Sequence, residues 1–421
     1  MARTLIVGGS LGGLLAANML LRDGHDVQVI EKVQSSLDGR GAGIVTHAAL
    51  SVALTRAGVS MNEALGVQVQ ARVALDAQGT EVARLHLPQV LTSWSRLYAL
   101  LSQAFPAERT HAGATAKRVT QSAEGVSLEL DNGHWLHGDL LIASDGLRSA
   151  IRAQFEPLAV PQYAGYVAWR GVCAESVLSA HTLGTVFENF GFGLPAGEQL
   201  IGYPVAGLNN TTSRGQRRWN FVWYRPAATQ LLQDLLTDDD GIHHPLGIAP
   251  HRLRADHVNA MRKAAHQLLA PQFAEIIERT EQPFVQPIFD VASTRLTFDR
   301  VALMGDAAFV ARPHVGMGVT KAAEDAMALS TSIRAFGATP AALKNYESIR
   351  LPAGLAVVQR ARDLGAYLQA QVNSGAAQRD AAAVLRDTAV DLSALQSSAA
   401  SQHPTQHPAH HTTHHAKALA H

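Results

Sequence analysis

Three short apolar runs along the chain each end in a glycine or aspartate turn, in the segments TLIVGG, DLLIASDG and VALMGD. The first run, from Arg3 to Val7, is followed by a glycine turn, a helical pattern from Leu11 to Asp23 and a second strand from Asp26 to Ile30. This strand–helix–strand order predicts a parallel sheet. We expect the three runs to be neighbouring strands of that sheet.

A different pattern fills the middle of the chain, where aromatic and β-branched residues form separate runs bounded by turn residues: AGYVAWRGV, QLIGYPVAG and RRWNFVWYR. These runs predict a mostly antiparallel sheet that interrupts the first one. Helical periodicity marks APQFAEIIERTE, TKAAEDAMALSTSIRAF and YESIRLPAGLAVVQRARDLGAYLQ. The last helix has an apolar face suited to packing on the core or across a homodimer interface.

The predicted fold class is α/β, with a Rossmann-like nucleotide-binding domain, an inserted mostly antiparallel substrate-domain sheet and a C-terminal helical segment. The expected boundaries within residues 1–396 are about 1–75, 95–155 and 285–345 for the nucleotide domain, 76–94 and 156–284 for the substrate sheet, and 346–396 for the C-terminal helix. Residues 397–421 have few apolar side chains and no period, which predicts a disordered His-rich tail.

Composition and charge narrow the class of protein. The 421 residues contain 35 Lys plus Arg and 35 Asp plus Glu, so no basic field favours nucleic acid or an anionic membrane. No apolar run approaches the roughly 20 residues that cross a bilayer. The single cysteine, Cys173, is expected to be a buried small hydrophobe, and the absence of a leader pattern after Met1 predicts a cytoplasmic protein. A small-molecule enzyme fits this balance.

Seven histidines between His403 and His421 raise the question of a metal site. That segment has no Cys, Asp or Glu and no framework that would fix ligands. We therefore expect no metal site.

The turn after the first strand, GGSLGG, differs from the dinucleotide-binding pattern G-x-G-x-x-G at one position. Gly8 and Gly13 fill the first and third glycine positions, and Ser10 stands at the second. The helix beginning near Leu11 would direct free N–H groups at a phosphate. Glu31 follows near the distance at which a carboxylate binds a ribose hydroxyl. The turn predicts a dinucleotide site, although a glycine turn without a nucleotide gives the same pattern.

Two further turns carry a resemblance to a known family. LLIASDGLRSAIR and VALMGDAAFVARPHVGMGVTKAAEDAMAL contain Asp145, Gly146, Ser149, Arg152, Gly305, Asp306, Pro313, Gly316, Gly318 and Asp325. With the first glycine turn, and in the same order, these segments resemble the motifs of the flavin-dependent aromatic hydroxylases of the para-hydroxybenzoate hydroxylase type, the class A flavoprotein monooxygenases. The resemblance covers about Arg3 to Ala370, and SSLDGRGAGIVTH, YAGYVAWRGV and NFVWY are particularly similar to members that act on hydroxypyridines.

The resemblance implies that the nucleotide is FAD. Residues expected to bind it are Gly8, Ser10, Leu11, Gly13, Glu31, Lys32, Gly43, Ile44, Val45, Asp145, Gly146, Gly305, Asp306, Gly316 and Gly318. The first turn would hold the diphosphate, Glu31 the adenosine ribose and Asp306 the ribityl chain. Gly41 to Val45 and Pro313 to Gly318 would lie along the isoalloxazine ring, with helix N–H groups near Gly318 facing the side that becomes negative on reduction.

The resemblance also implies the reaction. FAD is reduced by NADH or NADPH, reacts with O2 to a C4a-hydroperoxide and passes one oxygen atom to an electron-rich aromatic ring, with an N-heteroaromatic such as a hydroxypyridine as the expected substrate. No second dinucleotide-binding unit is visible, so the nicotinamide cofactor should bind transiently. The protein must exclude water and favour the deprotonated substrate.

Candidates for the substrate cavity come from the middle sheet and the turn beside the flavin: Trp169, Tyr203, Trp223, Tyr224, Pro313 and His314. Strand alternation allows only half of the sheet residues to face the cavity. We expect Tyr203, Pro313 and His314 to be catalytic. We hypothesise that the His314 imidazole deprotonates or orients the substrate hydroxyl, with hydrogen bonding to a backbone carbonyl as the alternative.

Two other side chains are weaker candidates. His47 is a second possible base. Arg170 either binds a substrate carboxylate or pairs with a structural carboxylate, and we favour an uncharged or weakly acidic substrate.

The sequence also departs from the family at several positions. Besides Ser10, Thr320 stands where many relatives have asparagine, and Trp94 and Tyr98 lie near the usual Arg and Gln of their helix. Trp94 either stacks on the cofactor or substrate or is buried in the core, and Arg96 is a candidate for the missing phosphate contact.

Two other functions remain compatible with the three turns. One is a flavin monooxygenase that modifies a larger natural-product or antibiotic scaffold. The other is a non-catalytic flavin-binding sensor, which would bind FAD without being reduced by NADH or NADPH.

Overall fold

A six-stranded sheet forms the centre of the nucleotide domain. The computed structural model describes residues 2–34, 43–60, 65–370 and 379–390. The strands of this sheet are β1 (Arg3–Val7), β2 (Asp26–Glu31), β6 (Thr110–Ala112), β10 (Leu140–Ala143), β16 (Thr297–Phe298) and β17 (Val301–Leu303). Their order is β16-β17-β10-β1-β2-β6, and all neighbours are parallel except β16 and β17. The prediction that the three apolar runs are adjacent strands is confirmed.

Helices cover this sheet and the second one. They are α1 (Leu11–Arg22), α2 (Ala48–Arg56), α3 (Trp94–Ala104), α4 (Ala150–Phe155), α5 (Ala180–Thr182), α6 (Thr229–Leu235), α7 (Ala255–Leu268), α8 (Pro271–Glu278), α9 (Gly318–Phe336), α10 (Pro340–Ala370) and α11 (Ala381–Asp387). Helices α1, α2 and α10 pack against α9. Nine of the twelve residues of α1 are buried, because this helix lies inside the domain.

The middle of the chain forms a nine-stranded sheet. Its strands are β3 (Gly43–Val45), β4 (Val67–Leu75), β5 (Glu81–Ser93), β11 (Gln162–Ala174), β12 (Phe190–Gly193), β13 (Gln199–Val205), β14 (Arg218–Pro226), β15 (Phe284–Ala292) and β18 (Phe309–Val310). They lie in the order β18-β15-β11-β14-β13-β12-β4-β5-β3, and only β12 and β4 are parallel. This confirms the predicted antiparallel sheet. A small antiparallel sheet contains β7 (Ala116–Gln121), β8 (Val126–Leu130) and β9 (Trp135–Gly138).

Both faces of the nine-stranded sheet are covered at its centre. Trp169, Trp219 and Trp223 alternate onto one face, where they join a buried cluster that includes Phe273 of α8. Tyr203 and its neighbours on the other face belong to a second cluster. Because the central strands β13 and β14 are buried on both sides, their sequences are largely apolar or aromatic.

The strand pairing differs from the expected domain boundaries at four places. Residues 43–45, 67–75, 285–292 and 309–310 fall within the ranges expected for the nucleotide domain, but β3, β4, β15 and β18 are members of the nine-stranded sheet. Strand β4 needs β5 and β12 on its two sides to satisfy its backbone groups.

The C-terminal region also differs from the single helix expected at 346–396. Helix α10 begins earlier, at Pro340, and continues through Pro352 to Ala370, and α11 is a separate short helix. The predicted tail, 397–421, lies outside the described residues.

The described part of the chain contains neither a membrane-spanning helix nor a metal-binding group of side chains. No helix there combines the length and apolarity needed to cross a bilayer. No three His, Cys, Asp or Glu side chains in those ranges are arranged to hold a metal ion.

Candidate active site

A first cavity, of about 320 Å³, lies where β1, β2 and β10 end. Six of the predicted cofactor residues line it: Gly8, Ser10, Glu31, Lys32, Asp145 and Gly146. Trp94 and Arg148 complete part of its wall. The carboxyl ends of neighbouring parallel strands meet at one edge of a sheet, which is where such folds bind nucleotides.

The glycine turn requires glycine at two positions, because a Cβ atom there would be strained or would clash. Gly8 has a φ of +106°, which favours glycine, and a Cβ on Gly13 would stand 1.9 Å from the Gly8 carbonyl oxygen. Helix α1 therefore packs directly on the end of β1. Ser10 precedes the helix, and its side chain makes no capping hydrogen bond. Leu11 itself is buried in the core, so it would offer FAD only its backbone.

Glu31 is held by the backbone around it. Its Oε2 accepts a hydrogen bond from Gly9 N at 2.8 Å, and its Oε1 accepts one from Val33 N at 2.9 Å. The carboxylate thus joins the glycine turn to the end of β2 at the wall of the first cavity.

Arg152 ties the second and third turns together. Its Nη2 donates to the Leu147 carbonyl at 2.6 Å, and its Nη1 donates to the Ala307 carbonyl at 2.9 Å. Asp145 Oδ2 accepts from Ala150 N at 2.9 Å at the start of α4. Gly146 lines the first cavity and Leu147 lines a second one, so this turn separates the two spaces.

A buried charge network supports the turn of Gly305 and Asp306. Asp325 Oδ2 accepts from Gly305 N at 3.0 Å, and its Oδ1 accepts from Arg350 Nε at 2.7 Å. Lys321 is fully buried, and its Nζ lies 3.9 Å from Asp306 Oδ1 without a hydrogen-bond partner in the described ranges. Sequence analysis missed Lys321; a lysine on the apolar side of α9 was the signal.

These groups fit FAD. Cβ atoms on Gly146 and Gly318 would meet no protein atom within 4 Å, so the space beside both backbones is open. Buried polar atoms that lack a described partner, Asp145 Oδ1 and Lys321 Nζ, flank the same turns. Gly8, Ser10 and the start of α1 would hold the diphosphate, while Asp306 and the start of α9 would face the ribityl chain and the ring.

The second cavity, of about 260 Å³, lies between the nine-stranded sheet and the turn before α9. Predicted residues that line it are Gly43, Ile44, Val45, Tyr203, Tyr224, Asp306, Pro313, Gly316 and Gly318. Arg170, Gln286 and Ala389 also line it. Gln286 could have been suspected from the sequence, because it is a polar residue within the apolar strand β15.

Strand register explains which sheet residues face this cavity. Arg170 is paired with Val222, and Val222 with Ile201, so the three side chains form one row across β11, β14 and β13. Trp169 and Trp223 are one residue out of this register and pack on the opposite face. Of the four candidates from the sheet, Tyr203 and Tyr224 thus line the cavity, and Trp169 and Trp223 do not.

Tyr203 and Tyr224 present hydroxyls to a largely apolar space. Burial raises the pKa of both hydroxyls well above the usual range of tyrosine. They are therefore neutral hydrogen-bond donors at physiological pH.

His314 does not reach the cavity that its neighbours line. The imidazole is buried, its Nε2 lies 2.9 Å from Tyr166 Oη, and its ring centroid is 4.1 Å from that of Tyr224. Burial, assisted by the positive charges of Arg379 and Arg312, lowers the pKa of His314 to about 3. This geometry does not support direct deprotonation of a substrate, and it makes His314 a neighbour that positions Tyr224. The partner is a tyrosine hydroxyl rather than the backbone carbonyl of the alternative.

The side chains of His47 and Thr320 are hydrogen-bonded to each other near the flavin-side turn. His47 Nδ1 lies 2.9 Å from Thr320 Oγ1, which ties the start of α2 to the first turn of α9. Thr320 is fully buried, so its side chain points at His47.

Trp94 lies at the cofactor end of the site. Its ring stacks on Tyr98 with centroids 4.9 Å apart, and it lines the first cavity. This favours contact with the cofactor over burial in the core. Arg96 is buried and is not among the residues lining either cavity in the described ranges.

Cys173 packs in the cluster on the α8 face of the sheet, as expected for a small buried hydrophobe. Burial raises the pKa of its thiol to about 12. The thiol is therefore protonated at physiological pH, and a buried, protonated thiol is a poor nucleophile.

Sequence comparisons agree with this geometry. The profile of a family described as FAD binding domain matches residues 1–213 and 250–361, more than half of the chain, and one described as FAD binding domain-like matches residues 163–290. The 2,6-dihydroxypyridine 3-monooxygenase of Paenarthrobacter nicotinovorans is 31% identical over 87% of this chain and 91% of that protein. Aurachin C monooxygenase/isomerase of Stigmatella aurantiaca is 29% identical over 87% and 88% of the two chains.

Solved structures give the same result. The structure of 2,6-dihydroxypyridine-3-hydroxylase from Arthrobacter nicotinovorans has a TM-score of 0.82 at 30% identity and covers 87% of this chain and 93% of that one. Klebsiella pneumoniae HpxO, complexed with FAD and uric acid, shares the fold at 23% identity, with a TM-score of 0.70 and coverage of 86% and 87%.

The expected cofactor, FAD, and the expected α/β fold are thus confirmed. The chain belongs to the FAD binding domain family and is an FAD-dependent monooxygenase of the aromatic hydroxylase type.

Proposed function

We propose that this monooxygenase hydroxylates a small, electron-rich N-heteroaromatic ring such as a hydroxypyridine, with NADH or NADPH as reductant and O2 as oxygen donor. The observation that carries the proposal is that Arg170 is the one positively charged side chain among the described residues lining the second cavity, beside the neutral donors Tyr203 and Tyr224, with Asp306 on the expected flavin side. Similarity to the 2,6-dihydroxypyridine enzyme supports the ring class.

Arg170 has unused hydrogen-bonding capacity. Its Nη1 donates to Gln286 Oε1 at 2.8 Å, and its Nε is buried without a hydrogen-bond partner in the described part of the chain. None of the carboxylates described lies within ion-pair distance of Arg170, in contrast to the structural pairing that we considered from the sequence. A hydroxypyridine that has lost a proton would supply the missing acceptor.

Proton chemistry in this cavity follows from its charges. Arg170 stabilises an anionic ring oxygen and so lowers the pKa of the substrate hydroxyl, which makes the ring a better nucleophile. Tyr203 and Tyr224 remain protonated and donate to other polar atoms of the ring. The hydroxyl proton leaves to solvent as the substrate binds, and no side-chain base is required.

When bound and reduced by NAD(P)H, FAD would activate O2, so that one of its oxygen atoms is transferred to the ring and the other leaves as water. The chain orients the ring beside the turn from Pro313 to Gly318 and excludes water through apolar side chains such as Ile201 and Val222.

Cavity size favours a small ring over the alternative of a large scaffold. The volume of about 260 Å³ is below the roughly 300–1,000 Å³ typical of ligand sites, and it also borders the expected position of the flavin ring.

The test uses the purified FAD-loaded protein with 18O2. We expect 2,6-dihydroxypyridine or a related hydroxypyridine to accelerate NADH or NADPH oxidation and to gain one labelled oxygen, with 4-hydroxybenzoate as the carbocyclic comparison. Turnover of only a multi-ring scaffold would contradict the ring class. FAD that neither nicotinamide cofactor reduces, with any of these ligands, would instead support the sensor.

A further inference from the structure

The C-terminal segment of residues 379–390, hereafter the C-terminal strap, reaches the second cavity. Ala389 lines that cavity, and its backbone N–H donates to the His314 carbonyl at 3.0 Å. A Cβ on Gly316 would stand 2.5 Å from Ala389 Cβ, so the strap lies directly against the turn beside the flavin. Nothing in the sequence indicated this contact.

Arg72 of β4 anchors the strap. Its guanidinium is fully buried and donates to the carbonyls of Leu385, Thr388 and Ala389, as well as to Gln89 Oε1 at 2.9 Å. The first of these carbonyls is in the last turn of α11, where a positive charge is favourable. Without the strap, Arg72 would be a buried charge that has lost three acceptors.

A second arginine fixes the other end. Arg379 Nη1 donates to Gln199 Oε1 and its Nη2 to the Glu198 carbonyl, both at 3.2 Å. The guanidinium carbon lies 3.5 Å from the centroid of the Tyr367 ring. Both ends of the strap are therefore bound to the core of the protein.

The backbone at Ala389 is strained. Its φ is +51°, a left-handed conformation that is unfavourable for a non-glycine residue. Such a residue persists where surrounding contacts fix it, and these positions cluster at functional sites. The strap also lies beyond residue 361, where the match to the family profile ends.

We propose that the C-terminal strap is a wall of the substrate cavity, with Ala389 determining the size of the ring that the cavity accepts. This proposal rests on the proposed function for the nature of the ligand. The small side chain of Ala389 leaves room within the second cavity for the edge of the ring, and the strap shields the flavin-side turn from solvent.

The first experiment uses Ala389→Leu and Ala389→Gly in the full-length holoenzyme. Ligand binding is read from perturbation of the flavin absorbance spectrum, with 2-hydroxypyridine as the single-ring probe and 2-hydroxyquinoline as the fused two-ring probe. We expect Ala389→Leu to weaken binding of the two-ring probe at least tenfold more than that of the single-ring probe, and Ala389→Gly to shift the ratio the other way. Ala153→Leu, at an exposed position of α4, is the control.

The second experiment removes the anchor and does not depend on the ring class. Arg72→Met in the full chain should at least double the acrylamide quenching constant of bound flavin. The constant of Arg72→Lys should stay closer to that of the wild type. Arg118→Met, at an exposed position, is the control and should have the wild-type constant. If Arg72→Met fails to fold, the quenching constants of the two Ala389 variants replace it.

The outcomes separate the two proposals. Unchanged probe ratios and unchanged quenching in all variants would overturn the strap as a wall. If the wild-type holoenzyme hydroxylates none of the rings, the proposed function is overturned. If the flavin is nevertheless more accessible in the Arg72 or Ala389 variants than in the wild type, the proposal that the strap is a cavity wall is retained.

Discussion

Residues of the first cavity come mainly from turns that directly follow β1, β2 and β10, whereas the second cavity collects side chains from β3, β11, β13, β14 and β15, a turn and the C-terminal strap. The cofactor side is thus built largely from backbone and glycine, with its geometry set by the parallel sheet. The substrate side is built from side chains whose direction depends on strand register. Changes in the first cavity should therefore act on FAD, whereas changes to the side chains that β11, β13, β14 and β15 contribute to the second cavity should act on ligand binding.

The largest effect is expected from Gly13→Val. Because a Cβ at this position would stand 1.9 Å from the Gly8 carbonyl oxygen, α1 must move away from β1. We expect the purified protein to lose most of its FAD and the free energy of unfolding to fall by roughly 3 kcal/mol or more. Flavin content and urea unfolding measure both.

Gly133→Ala is the matched control. Gly133 also has a positive φ, +83°, but no protein atom lies within 4 Å of its Cβ position. Gly133→Ala should lower the free energy of unfolding by only about 1–2 kcal/mol and leave FAD bound. Full flavin content in Gly13→Val would contradict the packing explanation.

Arg170→Met tests the substrate side. Losing a charged hydrogen-bond donor should raise KM for a hydroxypyridine roughly 10- to 100-fold, with the FAD dissociation constant unchanged. Steady-state kinetics and flavin titration separate the two effects. Arg170→Lys should recover part of the loss, and Arg118→Met should have none. An unchanged KM with a weaker FAD affinity would place Arg170 on the cofactor side.

Trp94→Leu should weaken FAD binding and leave KM for the substrate unchanged, with a smaller effect than that of Arg170→Met. Loss of the ring at the wall of the first cavity should weaken FAD binding by roughly 3- to 10-fold, because aromatic stacking contributes about 0.5–1.5 kcal/mol. Equilibrium dialysis with FAD measures this. Trp135→Leu, on the small sheet, is the control. An effect on KM alone would show that Trp94 contacts substrate.

The smallest effect is expected from His314→Gln, and it concerns pH. The folded protein holds this imidazole at a pKa of about 3, against an ordinary value of 6.5. As pH falls from about 6.5 towards 3, the unfolded chain binds the proton first, so the wild type loses unfolding free energy. The variant should lose less, as measured by urea unfolding at several pH values. A shifted pH profile of kcat above pH 6.5 would instead make His314 a proton-transfer group.

The cofactor side was predictable because the residues that form it lie close together in the sequence. Gly8, Ser10 and Gly13 lie within six residues of one another and follow an apolar run, so the turn and its place at the sheet edge could be read directly. Glu31 and Asp145 also follow strands, and both line the first cavity.

The substrate side was less predictable for two physical reasons. Both faces of the nine-stranded sheet are buried, so Trp169 and Trp223 have the same aromatic character as Tyr203 and Tyr224, and alternation does not say which set faces the cavity. The strap depends on Arg72, which is more than 300 residues away from its acceptors. No periodic pattern in a seven-residue helix indicates such docking.

The pairing of β10 with β17 has a consequence for synthesis of the chain. Five strands of the nine-stranded sheet, β11 to β15, are encoded between these two neighbouring strands, so the edge of β10 has no partner until Leu303 has left the ribosome. Unpaired strand edges of this kind are prone to aggregation, and distant pairings form slowly. We expect nascent chains that end before β17 to bind no FAD and to depend on chaperones, which ribosome-bound chains of increasing length would reveal.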